Sequence, residues 1–426
     1  MYRWIRIAAL SALVPLVAAA ACSSNSSTTT PQATASSASD GMGSMSSAAA
    51  MTADISTGAS SLRATLSTLL QSHVYLAGIA TGAALQDGPT SSSFKAAAAT
   101  LDLNSQDLAA AVGSVYGDAA GKTFLALWRK HIGFFVDYTV GLATKDKAME
   151  TKALKDLDGY RADFGAFIES ATGGILSKDA VATELKMHVE TLAAAIAAQA
   201  AGSPKAFALL RTAASHMPMT ADVLATAFTQ QFPDKFPGST EDPAAALRTG
   251  LEDLLQEHVY LAGIATGTAL HDGATSPAYK AAAATLDLNS QDLAAAVGSV
   301  YGDAAGKTFL ALWRKHIGFF VDYTLGAAAG DKKMEAAALK DLDGYRADFG
   351  AFIESATGGI LSKDAVATEL KGHIETLSAA IAAQAAGSPK AYGLLREAGN
   401  HMPMTADVLA GAFVQQFPDK FVPAGS

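Results

Sequence analysis

KAAAATLDLNSQDLAAAVGSVYGDAAGKTFLALWRKHIGFFVDYT, residues 95–139, occurs again unchanged as residues 280–324. LKDLDGYRADFGAFIESATGGILSKDAVATELK, residues 154–186, recurs in the same way as residues 339–371. The offset is 185 in both cases and holds without insertion from His73 and His258 to Phe236 and Phe421. Solenoid repeats are about 20–50 residues long. A period of 185 is instead the length of a domain with room for its own core. The sequence therefore predicts two tandem, nearly identical domains, copy 1 over residues 58–237 and copy 2 over residues 243–423. The junction PDKFPGSTEDPAAAL carries Pro237, Gly238 and Pro243 and reads as a short linker.

Within each copy apolar residues recur at helical spacing, and strand-like alternation is absent. Six helices are expected in copy 1, at about 58–86, 93–115, 119–143, 147–171, 178–201 and 204–230, with a matching set in copy 2. The ends carry suitable chemistry. Ser203–Pro204 and Asp242–Pro243 place a capping side chain ahead of a proline at the first helical position. Gly173–Gly174 and Gly202 stand where helices should stop. Asn104–Ser105 points to a break and restart in the second helix. Short turns favour antiparallel neighbours, so the expected fold class is all-α, two antiparallel bundles of about six helices each.

Composition narrows the function. Lys+Arg number 31 against 40 Asp+Glu, net −9, so the basic field that neutralises phosphates is missing and no nucleic-acid partner is expected. Cys22 is the only cysteine, which excludes a disulfide framework and a cysteine-ligated zinc site. The chain holds no Gly-x-Ser-x-Gly elbow, no His-Glu-x-x-His, no Gly-x-Gly-x-x-Gly and no phosphate loop, and no catalytic residue is assigned.

Residues 1–21, MYRWIRIAALSALVPLVAAAA, join Arg3 and Arg6 to a short apolar run and the small residues Ala19–Ala21. That order reads as a secretory signal with its cleavage site, too short to span a bilayer. With Cys22 next in line, the segment resembles a bacterial lipoprotein signal, departing from it at Ala19, where leucine is more usual. The resemblance implies a chain cut before Cys22 and lipidated on it. Its acyl chains would then hold an extracytoplasmic protein to the bacterial cell membrane. Residues 22–57 are mostly Ser, Thr, Ala, Gly and Pro, with Met42, Met45 and Met51 and almost no charge. Such a composition buries too little surface to offset chain entropy and reads as a flexible tether.

Eight of the nine histidines form two sets of four: His73, His131, His188 and His216, then His258, His316, His373 and His401. In copy 1 each lies on a different expected helix within a stripe of 3-4 spacing. The stripes are Leu66-Leu69-His73-Leu76, Phe124-Trp128-His131-Phe135, Val181-Leu185-His188-Leu192 and Leu209-Ala213-His216. One histidine on an apolar face is ordinarily a hydrogen-bonded core residue. Four buried imidazoles in one domain are costly unless each finds a partner, and one shared metal ion partners several at once. One ion per copy is therefore expected, copper or zinc being favoured by an imidazole-rich set. Glu184 and Glu369 precede His188 and His373 by four residues and share their faces. They are accessory ligands, groups that orient the imidazole, or solvated charges. In His216-Met217-Pro218-Met219 the proline should kink or restart the helix. Met219, with Met404 in copy 2, offers a soft thioether suited to copper(I), or else Met217 and Met219 pack the kink as adaptable core filler. Trp128, Phe134, Phe135 and Tyr138 fill the core or line a pocket, and Asp137 is placed to pair with Arg129, Lys130 or an imidazole. His271, the ninth histidine, is expected at the surface.

Two other readings stay open. One is a non-metal helical interaction module whose core histidines are bonded internally and whose partner is another cell-surface protein. The other is haem or di-iron chemistry, for which neither an attachment motif nor a Glu-x-x-His pair is present.

Overall fold

The computed structural model describes residues 55–422, and every regular element among them is helical. The signal, Cys22 and the methionines of the tether lie outside the described residues. Copy 1 runs α1 (Gly58–Asp87), α2 (Ser92–Tyr116), α3 (Asp118–Thr144), α4 (Lys147–Ala171), α5 (Lys178–Ala200), α6 (Ala206–Ser215) and α7 (Met217–Gln231). Copy 2 runs α8 (Pro243–Asp272), α9 (Pro277–Tyr301), α10 (Asp303–Ala329), α11 (Lys332–Ala356), α12 (Lys363–Ala385) and α13 (Lys390–Gln416). The all-α expectation is met.

Local chemistry sets the ends. Ser91 accepts from the Phe94 N–H at 3.0 Å, Asp146 from the Ala148 and Met149 N–H groups at 3.0 Å, and Asp242 from the Ala244 N–H at 2.8 Å. Each satisfies orphan donors of a first turn. Gly173, Gly174 and Gly202 have positive φ of 60°, 86° and 61° and close their helices as expected. Ser203 caps as predicted, its Oγ accepting from the Lys205 N–H at 3.3 Å across Pro204, with regular α-helix following from Ala206. The expected break at Asn104–Ser105 is absent. α2 runs through it because the Asn104 amide donates to the Leu69 carbonyl at 3.0 Å and to Ser72 Oγ at 2.9 Å, across to α1. Pro218 opens α7 in copy 1, whereas α13 continues through its counterpart Pro403.

α1 and α8 are buried on nearly all sides, the mark of a helix at the centre of a larger core. They pack on each other, with Tyr75 and Tyr260 stacked at 5.6 Å between ring centroids. The apolar interiors of the two copies join there into one continuous core. Polar contacts cross the same junction. Tyr75 donates to Glu257 at 2.6 Å, Ser67 donates to Asp253 at 2.7 Å, and Arg211 pairs with Glu257 and Asp292 at 2.9 and 2.6 Å. On the opposite flank Arg396 pairs with Asp107.

Candidate metal centre

Three of the four predicted histidines of each copy meet. His73 on α1, His131 on α3 and His188 on α5 are all buried, and so are His258, His316 and His373 on α8, α10 and α12. One ring nitrogen of each lies within 4.8 Å of the others in its set. Nε2 of His131 is 3.4 Å from Nε2 of His73, and the equivalent pair His316–His258 is at 3.3 Å. Two imidazole nitrogens on a tetrahedral ion, each at about 2.05 Å, lie about 3.3 Å apart. His188 and His373 have no hydrogen-bond partner on either nitrogen, and Nδ1 of His73 and of His258 also has none. Uncompensated burial of that kind is costly, and a shared cation would relieve it.

The surroundings keep the rings neutral. Burial, then the neighbouring His188, holds His73 well below the ordinary imidazole range. Burial, then His73 and His188, does the same for His131. His188 is pushed down to about 4 by burial and then by His216, and His373 to about 4 by burial and then by His401. Neutral imidazole is the ligating form. Trp128 stands edge-on to His131 at 4.5 Å, Tyr160 stacks on His131 at 5.0 Å, and Phe135 meets His188 at 6.0 Å. An aromatic collar of this kind excludes water and fixes the ring planes.

The fourth histidines stand apart. His216 and His401 do not belong to the clusters, and neither do Glu184 and Glu369. The buried stripe of α6 and α7 runs Leu210, Ala213, Ala214, Met217, Ala221, Ala225 and Phe228. His216 is therefore one residue off the core line, and Met217 takes the place expected for it. Met219 and Met404 are corrected likewise: they are 44% and 58% exposed. The buried thioethers are Met217 and Met402, and Met402 lines a cavity of about 40 Å³ together with His316 and His373. Asp137 pairs with neither predicted base, because Arg129 pairs with Asp102 at 2.6 Å and Lys130 with Asp163 at 3.1 Å. His271 is exposed, as expected. Met217 packs the core as adaptable filler, as expected, and sequence reading missed Tyr160. The signal for Tyr160 was present in the stripe Leu157-Tyr160-Phe164-Ile168, all buried on α4.

A second cavity, of about 130 Å³, borders the copy 2 set at His258 and is walled mainly by Ala262, Ala265, Leu286, Ile317 and Phe320. Its counterpart at His73 is about 30 Å³. Among the described residues no carboxylate stands with the three nitrogens of either set, which differs from a di-iron carboxylate centre. No family model matches the chain, and no curated protein or solved structure shows significant similarity to it.

Proposed function

We propose that each copy binds one transition-metal ion, copper or zinc, through three neutral imidazoles: His73, His131 and His188 in copy 1, and His258, His316 and His373 in copy 2. The observation that carries this reading is the spacing of 3.4 and 3.3 Å between the Nε2 atoms of two buried histidines, with a partnerless third beside them, in both copies. Imidazole donors suit zinc and copper and suit magnesium or calcium poorly. Three protein ligands leave a position open on a four-coordinate ion. The signal-like residues 1–21 and Cys22 support placing these centres on a lipid-anchored, extracytoplasmic protein that holds or buffers the metal at the cell membrane. Calorimetric titration of the metal-free protein with Zn²⁺ and with copper should give two equivalents. Failure of both ions to bind below about 10 μM, a binding free energy of only about −7 kcal/mol, would remove the metal reading. Membrane release on Cys22→Ser tests the anchor separately.

A further inference from the structure

Beside their histidine sets the two copies differ. Position 187 is Met, and its counterpart 372 is Gly, one residue before His373 on α12. A Cβ on Gly372 would stand 3.1 Å from Nε2 and 3.2 Å from Cε1 of His401. The bare backbone thus makes room for the His401 ring. Its Nε2 lies 3.3 Å from Glu369 Oε1 and makes no hydrogen bond. That separation is also about what an imidazole nitrogen and a carboxylate oxygen show when both ligate one tetrahedral ion at about 2.1 Å. On the outer side, His401 borders an open cleft of about 530 Å³ with Arg396, Glu397, Asn400 and Met404, the Arg396 charge being taken up by Asp107. On the inner side, Thr405 donates to the same Glu369 oxygen at 3.1 Å. Thr405 also lines the 40 Å³ cavity whose wall includes His316 and His373. In copy 1 the Met187 side chain starts where Gly372 leaves space, and Thr220 turns instead to the His216 carbonyl at 3.5 Å.

We propose that His401 and Glu369 form an outer cation site that captures the metal ion from the cleft and hands it past Thr405 to His258, His316 and His373. In copy 1 Glu184 acts on His216 only from beyond ion-pair distance, and that copy loads more slowly. The proposal rests on the metal reading above. Its chemistry follows from ligand number and charge. One imidazole and one carboxylate hold a borderline divalent cation loosely, which suits a site that must release it, while three imidazoles hold it by number. The cavity of about 40 Å³ is walled mainly by apolar side chains such as Leu251, Leu255, Leu342, Phe349 and Phe413, which cannot replace a hydration shell, so the ion must shed most of its hydration at the mouth. The Glu369 carboxylate compensates charge at that point.

The test is stopped-flow uptake of Zn²⁺ by the metal-free tandem protein, followed with a chromophoric zinc indicator. Two equivalents should enter in two phases. His401→Ala should slow the faster phase roughly tenfold, the lower end of what electrostatic capture contributes to an on-rate, with the total unchanged. Gly372→Met, which writes the copy 1 residue into copy 2, should do the same, and Met187→Gly should quicken the slower phase. Two equivalents entering in a single phase, or in phases indifferent to both His401→Ala and Gly372→Met, would overturn the relay and leave the inner sites standing. No uptake at all would overturn the inner sites, and the relay with them.

Discussion

A single buried imidazole decides the most at the residue scale. His131 faces His73 across 3.4 Å, so His131→Ala should halve the metal stoichiometry, leaving copy 2 loaded; calorimetry reads this directly. Two equivalents bound by the variant would exclude His131 as a ligand. The pH dependence of the metal-free protein follows from the same burial. An unfolded histidine binds its proton near 6.5, and folded His188 and His373 do so only near 4. Between those values the unfolded chain holds more protons, so stability rises with pH and is lost on acidification from about 6.5 to 4. Each of these two histidines accounts for about 3 kcal/mol of that loss. Thermal melts in chelator from pH 4 to 7 should show it, and a flat profile would contradict neutral burial.

At the scale of elements, the helices approach closely where glycine permits. A Cβ on Gly121 would stand 2.6 Å from the Ala109 carbonyl oxygen, with Gly113 just beyond, so α3 lies directly against α2. Gly121→Ala should destabilise by about 1–3 kcal/mol through overpacking. Gly159 on α4 has nothing within 4 Å of the same position, so Gly159→Ala should instead stabilise, by up to about 1 kcal/mol of helix propensity. Urea midpoints of the two variants moving in the same direction would refute the packing account. Element ends such as those at Asp242 and Gly173–Gly174 were legible in the sequence because a cap acts within a few residues. The face of α6 and α7 was read one residue wrong. One residue turns a helix face by about 100°, and a short Ala-rich segment offers neighbouring stripes of similar apolarity.

The whole molecule is organised by the junction between the copies. There copy 2 has Glu252, Asp253 and Glu257, where copy 1 has Ser67, Thr68 and Ser72. Glu252 is pushed up to about 9, by burial first and then by its contact with Asp407, against the opposing Arg248. Asp253 is pushed up to about 7, by burial first and against Ser67 and Arg63, with Asp222 and Glu257 adding to the rise. A folded carboxyl that keeps its proton longer than the unfolded one loses stability as pH rises, here through about 4 to 7 and about 4.5 to 9. Six buried histidines, all held below the ordinary imidazole range, outweigh the two carboxyls up to ~6.5 and no longer above it, so the stability maximum of the metal-free protein lies near ~6.5, and Glu252→Gln should flatten the alkaline decline. Glu257 accepts from Tyr75, Arg211 and Asn289, so Glu257→Ala strands buried donors and should cost about 3 kcal/mol. Separately expressed copies should associate on mixing, copy 1 preferring copy 2 to itself, because two copy 2 faces would oppose acid to acid. Sedimentation of the mixture as two unassociated species would refute that.

The sequence alone determined the duplication, the helices, some of their ends and the three stripes that carry His73, His131 and His188, because periodicity and capping are local. Tertiary structure alone decided which histidines meet, that His216 stands off the core line, and that Gly372 leaves room for the His401 ring. It also joined the two copies through one core. Those outcomes depend on the height and rotation of one helix against another, which are set by packing between residues far apart in the chain and leave no mark within any single helix.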